Sequence, residues 1–142
     1  MPEKETLERA RKDKREGKAP STQAGEFVRE EIEHIREGKH GARSTKQAIA
    51  IGLAKARRAG VELPPSESAS KETKEQAKRD LRKAGKKPST KRSRASRKAL
   101  KKEGRSAASK EALSRQARKA AKKRSKASRS RSAKKAAKTR KK

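Results

Sequence analysis

The chain has no cysteine, no tryptophan and no tyrosine. Without thiols, disulfides, thiolate metal centres and thiol catalysis are excluded. The single aromatic residue, Phe27, leaves no platform on which successive bases of a single strand can stack. No apolar run approaches the ~20 residues that span a bilayer. The opening Met-Pro-Glu-Lys-Glu is acidic and lacks an apolar core, so no secretory signal is expected. Apolar residues make up 27% of the 142 and charged residues 45%, the balance of a partly disordered protein rather than of a compact enzyme. No enzymatic activity, no cofactor and no resident metal are expected. The cytoplasm, where nucleic acid is the most abundant polyanion, is the default location.

Acids are the other shortage, and it is local. From Leu81 to Lys142 there are 28 Lys or Arg and two acids, Glu103 and Glu111, a charge of +26 out of +30 for the chain. Beyond Glu111, 15 basic residues stand among Ala, Ser, Thr and Gln with no acid. Such a run cannot bury a core, because each charge would leave water without a partner. It can neutralise a polyanion: 28 cations match the phosphates of roughly 48 Å of duplex, or about 14 base pairs.

The remainder is balanced. Residues 1–65 hold 15 bases and 11 acids, and residues 66–80 hold four of each. The Pro64-Pro65 pair and the small polar residues after it mark a boundary. The expected organisation is an N-terminal helix over 1–20, a helical hairpin over 21–63, a linker at 64–70 and a basic low-complexity arm over 71–142. In the first helix Leu7 is the one sizeable apolar residue. In the second, capped by Ser21 or Thr22, Ala24, Phe27, Val28, Ile32 and Ile35 share one face of a 3.6-residue period. The third opens on Ser44-Thr45-Lys46-Gln47, a capping box, and closes at Gly60, with Val61 placed for a Schellman contact. Large apolar side chains are few for such a hairpin. Its stability therefore calls for docking of the first helix through Leu7, or for a homodimer through the Ile-rich face with Ile51 in the second contact. The second helix is acidic and the third basic, so the two faces are expected to pair.

The arm repeats a pattern R-K-A-x-K-K at Arg82, Lys83, Lys86 and Lys87, at Arg97, Lys98, Lys101 and Lys102, and at Arg118, Lys119, Lys122 and Lys123. A looser copy holds Lys134 and Lys135. These are the expected nucleic-acid contacts. Lys, Arg and Ala favour helix while like charges at i+3 and i+4 oppose it. The arm is therefore expected to be disordered or nascent-helical when free and helical on DNA. The fold class expected is all-α, a small hairpin with that arm. Nothing in the chain offers a placed reading element, so binding by charge rather than by sequence is expected. A secondary backbone contact is expected at Lys39, Arg43 and Lys46, around the turn Gly38-Lys39-His40-Gly41. His34, with Glu30 and Glu37 at i−4 and i+3, has the spacing of a weak metal site, but a solvated helix face is the favoured reading.

The wording of the stretch Ser21 to Ile32, STQAGEFVREEI, and of Gly38 to Leu53, GKHGARSTKQAIAIGL, resembles a family of small basic bacterial proteins labelled uncharacterised, DNA-binding or plasmid stabilisation protein. The arm is similar to the Lys/Ala-rich tails of linker histones and bacterial histone-like proteins. The resemblance implies a bacterial source. Charge and resemblance together lead to a non-enzymatic, nucleoid-associated, histone-like protein that coats, bridges or compacts DNA. An RNA- or ribosome-associated protein, or a plasmid-maintenance interaction module with an accessory basic arm, is the alternative.

Overall fold

The computed structural model describes residues 2–65, 69–87 and 89–140. Seven α-helices run through them: α1 (Lys4–Arg15), α2 (Pro20–Arg36), α3 (Thr45–Arg58), α4 (Lys71–Arg82), α5 (Thr90–Lys101), α6 (Lys110–Lys123) and α7 (Lys126–Arg140). A single 3-10 turn, Ser106–Ala108, precedes α6. The chain divides into two compact units, one through Ser109 and one from Lys110.

Local chemistry sets the helix ends. Pro20 takes the first position of α2 with Ala19 as N-cap, so Ser21 and Thr22 lie inside the helix rather than capping it. Proline is favoured there because its missing N–H would have had no helical acceptor. Ser44 Oγ caps α3 by accepting from Gln47 N at 3.1 Å. Gln47 Oε1 accepts from Arg43 N at 2.6 Å, one residue before the Ser44 N–H that a capping box would use. Gly38 and Gly60 follow α2 and α3 with φ of 79° and 103°. The next residues turn back, Lys39 N to His34 O and Val61 N to Ala56 O, each at 3.0 Å, which are Schellman closures. Val61 is buried, as its position after Gly60 predicts.

The core of the first unit is small-residue packing. Ala10 of α1, Ala24 and Phe27 of α2, Ala56 of α3 and Val61 form one cluster, with Leu7, Leu53 and Leu63 against it. Leu7 thus docks α1 on the hairpin. The cluster closes within one chain and leaves Ile49 and Ile51 half-buried. Where α2 meets α3, a Cβ added to Gly52 would lie 2.6 Å from Val28 Cα, closer than any real side chain allows. The opposite charges of the two helices do meet, in a Lys55 Nζ donation to Glu31 Oε1.

The disordered or nascent-helical arm expected from residue 71 onward is overturned: the described residues are helical to Arg140. Two physical reasons account for it. Like-charge pairs at i+4 cost only a few tenths of a kcal/mol each, while Ala, Arg, Lys and Gln sit at the favourable end of helix propensity. Serines also cap these helices: Ser70 Oγ accepts from Thr73 N at 3.2 Å, Ser89 Oγ from Arg92 N at 3.5 Å and Ser125 Oγ from Ser128 N at 3.0 Å. The second reason is packing. Through residue 109 the segment belongs to the first unit. Asp80 of α4 is buried and accepts from Arg58 Nε at 3.1 Å and Gln76 Nε2 at 3.2 Å. Ala77, Ala107 and Ala108 are buried as well. Backbone closes the rest: Gly41 N donates to Leu100 O at 2.8 Å and Ala42 N to Gly104 O at 3.1 Å. Thr45 Oγ1 donates to Ala107 O at 2.5 Å and Arg36 Nε to Ala108 O at 2.9 Å. In the second unit Arg124 spans the start of α7, donating to Ser128 O at 3.1 Å. Residues 66–68 of the expected linker, and Pro88, lie outside the described residues.

Two glycine substitutions separate packing from backbone entropy. Gly52→Ala is expected to destabilise by about 1–3 kcal/mol through overpacking against Val28. Gly25→Ala, exposed in α2 with nothing within 4 Å, is expected to stabilise by about 0.5–1 kcal/mol. Urea unfolding of both variants measures this, and shifts of the same sign would defeat the close-approach account. Asp80→Asn removes the charge that holds Arg58. It is expected to cost about 1.5–3 kcal/mol and to speed amide exchange in α4 before it does so in α2.

Candidate nucleic-acid interface

The surface cations are carried by helices that bury almost nothing. α5 has six Lys or Arg in twelve residues, no acid and no buried residue. α6 has six against Glu111, again with none buried. α7 has seven in fifteen, no acid and no apolar face. At 1.5 Å rise per residue α7 is about 22 Å long, so its cations come about every 3 Å, close to the ~3.4 Å phosphate spacing along one strand.

The expected contacts fall as follows. Arg82 ends α4, Lys83 is its C-cap, and Lys86 and Lys87 follow. Arg97, Lys98 and Lys101 lie on α5 with Lys102 at its C-cap. Arg118, Lys119, Lys122 and Lys123 lie on α6, and Lys134 and Lys135 on α7. Each of the fourteen is exposed, and none forms an ion pair among the described residues. Lys91, Arg92 and Arg94 on α5, and Lys126, Arg129, Arg131, Lys138 and Arg140 on α7, are equally exposed. They lie outside the R-K-A-x-K-K pattern, although the sequence reading counts them among the 28 basic residues of the arm. Charge per helical turn, rather than that pattern, is the signal that finds them.

The turn site is arranged differently. Gly41 N, Ala42 N and Arg43 N, the free donors a phosphate would need, are taken by Leu100 O, Gly104 O and Gln47 Oε1. A Cβ on Gly41 would lie 2.0 Å from Glu103 O, so carbonyls of the 100–104 segment fill the place of an anion. Lys39 Nζ lies 3.3 Å from Glu37 and 3.4 Å from Glu3. Those two carboxylates, Glu37 foremost, raise its pKa above the usual lysine value. Glu3 is correspondingly lowered, by its hydrogen bond with His34 first and with Lys39 second. Arg43 and Lys46 remain exposed at the start of α3, while Lys39 is already paired. The buried cation, Arg57, has its pKa lowered by desolvation and donates to Leu63 O at 2.9 Å, a structural role.

Residues 4–67 match a family of unknown function, DUF6496. That stretch takes in α1, α2 and α3 and stops before the cation-rich helices. No curated protein and no solved structure matches the chain.

Pairing state predicts which cations matter. Replacing Lys134 and Lys135 together by Ala is expected to flatten the slope of log affinity against log salt by about two units, one for each phosphate no longer neutralised. Lys39→Ala is expected to change it by less than one. Fluorescence anisotropy on a labelled duplex measures both, and equal effects would show that ion pairing inside the protein does not set the interface.

Proposed function

We propose that the protein binds duplex DNA without sequence specificity, through the exposed faces of α5, α6 and α7, and coats or compacts it in the manner of a nucleoid-associated protein. The observation that carries this reading is the set of fourteen exposed arm cations with no internal ion-pair partner among the described residues. Unpaired cations at this density hold counterion-free positions for phosphates, and release of the DNA's own counterions supplies the affinity. Helices with no buried residue can be laid along a groove or backbone without uncovering a core. The lack of aromatic platforms disfavours single strands. A binding role rather than a catalytic one follows, with location on the nucleoid. Self-association through the half-buried Ile49 and Ile51 would turn coating into bridging.

The test is affinity of the full chain for a duplex of about 20 base pairs across a salt series. The expected log–log slope is steeper than about −5, and replacing the seven α7 cations by Gln is expected to flatten it by several units. Sequence-scrambled duplexes are expected to compete within a factor of about three, against the 10³-fold or greater discrimination of specific readers. A flat salt dependence would overturn the reading, and a preference of tenfold or more for RNA would replace DNA with RNA as the partner.

A further inference from the structure

We propose that Glu31, His34 and His40 form a site for one divalent transition-metal ion, with zinc as the ion their donor set fits best. One donor atom from each of the three lies within 4.8 Å of the others. Two imidazoles and a carboxylate are a common zinc donor set, with a fourth position left to water or another carboxylate. The sequence brings them together in two steps. Glu31 and His34, three residues apart, share a face of α2, and the left-handed Gly38 folds the chain back so that His40 meets them.

The hydrogen bonding around these residues is what points to a cation. Glu31 is fully buried; its Oε1 takes Lys55, while its Oε2 has no hydrogen-bond partner. That orphan oxygen stands 3.1 Å from His40 Nε2. His40 Nδ1 lies 2.9 Å from Gly41 O, an atom that only accepts, so Nδ1 carries a proton. In the neutral ring Nε2 then offers a lone pair directly at the carboxylate oxygen, an arrangement that a cation between them makes favourable. Two tetrahedral zinc ligands at ~2.0–2.1 Å stand about 3.3 Å apart, close to the observed separation. His34 Nε2 is 2.9 Å from Glu3 Oε1, so a metal bound with that contact kept would take Nδ1. Both histidines thus have the outer partner that orients metal-bound imidazole, a backbone carbonyl for His40 and a carboxylate for His34.

Charge agrees. The carboxylates of Glu3, Glu30 and Glu31 face the two histidines, with Lys39 paired to Glu3 and Lys55 to Glu31. Glu30, Glu3 and His34 make a second grouping, and Glu30 Oε2 is also buried without a partner, but that set offers one imidazole instead of two, and Glu3 is half exposed and held by Lys39. The Glu31 set is therefore the site. This revises the reading of His34 as a solvated face: its side chain is 13% exposed, and Glu37 pairs with Lys39 instead. A bound ion would tie α2 to the Gly38–Ala42 turn, whose N–H groups hold the 100–104 segment. The role is structural.

The competing account is an imidazolium His40 paired with Glu31 and no metal. Full-length protein stripped with chelator and titrated with Zn²⁺ in a chelator competition separates the two. One equivalent bound at micromolar zinc or tighter, a zinc-dependent rise in Tm, and tetrahedral visible bands with Co²⁺ are expected. Mg²⁺ should produce none of these. Glu3→Gln, which removes the carboxylate that orients His34, is expected to weaken zinc about 10–100-fold, and His34→Ala, which removes a ligand, to weaken it further, while circular dichroism remains that of the parent. Absence of stoichiometric zinc, an octahedral aqua-like Co²⁺ spectrum, or affinity unchanged in both variants would overturn the proposal.

Discussion

The crossing of α2 and α3 at Gly52 is the contact on which the first unit depends. With few large apolar side chains available, helices gain burial only by approaching until backbone touches side chain, and Gly52 against Val28 Cα is that approach. Alanine does the same elsewhere: Ala10, Ala24, Ala48, Ala56, Ala77, Ala107 and Ala108 are all buried. Small residues bring many dispersion contacts within range but remove little area each from water. Cohesion is therefore supplemented by polar closures: the Asp80–Arg58 pair, the Thr45–Ala107 and Arg36–Ala108 bonds, and the Gly41–Leu100 backbone bond.

That economy shapes the surface. Among the described residues the buried charged groups are Asp13, Glu30, Glu31 and Asp80 on the acidic side and Arg57 on the basic side. Half-buried acids are occupied by neighbours, Glu26 by Arg9 and Glu33 by Arg29. The protein withdraws negative charge inward and leaves its lysines and arginines in water, so its outer face is more basic than its composition. Folding and the proposed polyanion binding would draw on the same partition. The carboxylates that stabilise the interior are those that would otherwise repel phosphate.

Much of this was legible. The apolar stripe of α2, the Ser44 cap and the Gly60–Val61 closure follow from local rules, because each depends on residues within one turn of one another. Exposure of the arm cations was legible too, since fourteen unpaired charges have no other place. The helicity of α4 to α7 was not, because like-charge repulsion was weighted above propensity and serine capping. Nor was the return of the 71–108 segment onto the hairpin. Alanine carries no hydrophobic signature strong enough to announce a core position, and Asp80 reads as one more surface acid until Arg58 stands beside it.

By itself, then, the sequence determined the helices of residues 1–63 and a dense, outward-facing positive charge beyond them, since capping, periodicity and the cost of burying unpaired charge act locally. Only the tertiary structure decided what the turn at Gly38–Ala42 does. From sequence its N–H groups looked free to seat a phosphate. In the fold they receive the carbonyls of Leu100 and Gly104, while His40 turns inward to Glu31. The partners lie some sixty residues away in one case and across a helix face in the other, and long-range contacts of that kind follow from which small surfaces fit, not from any local pattern.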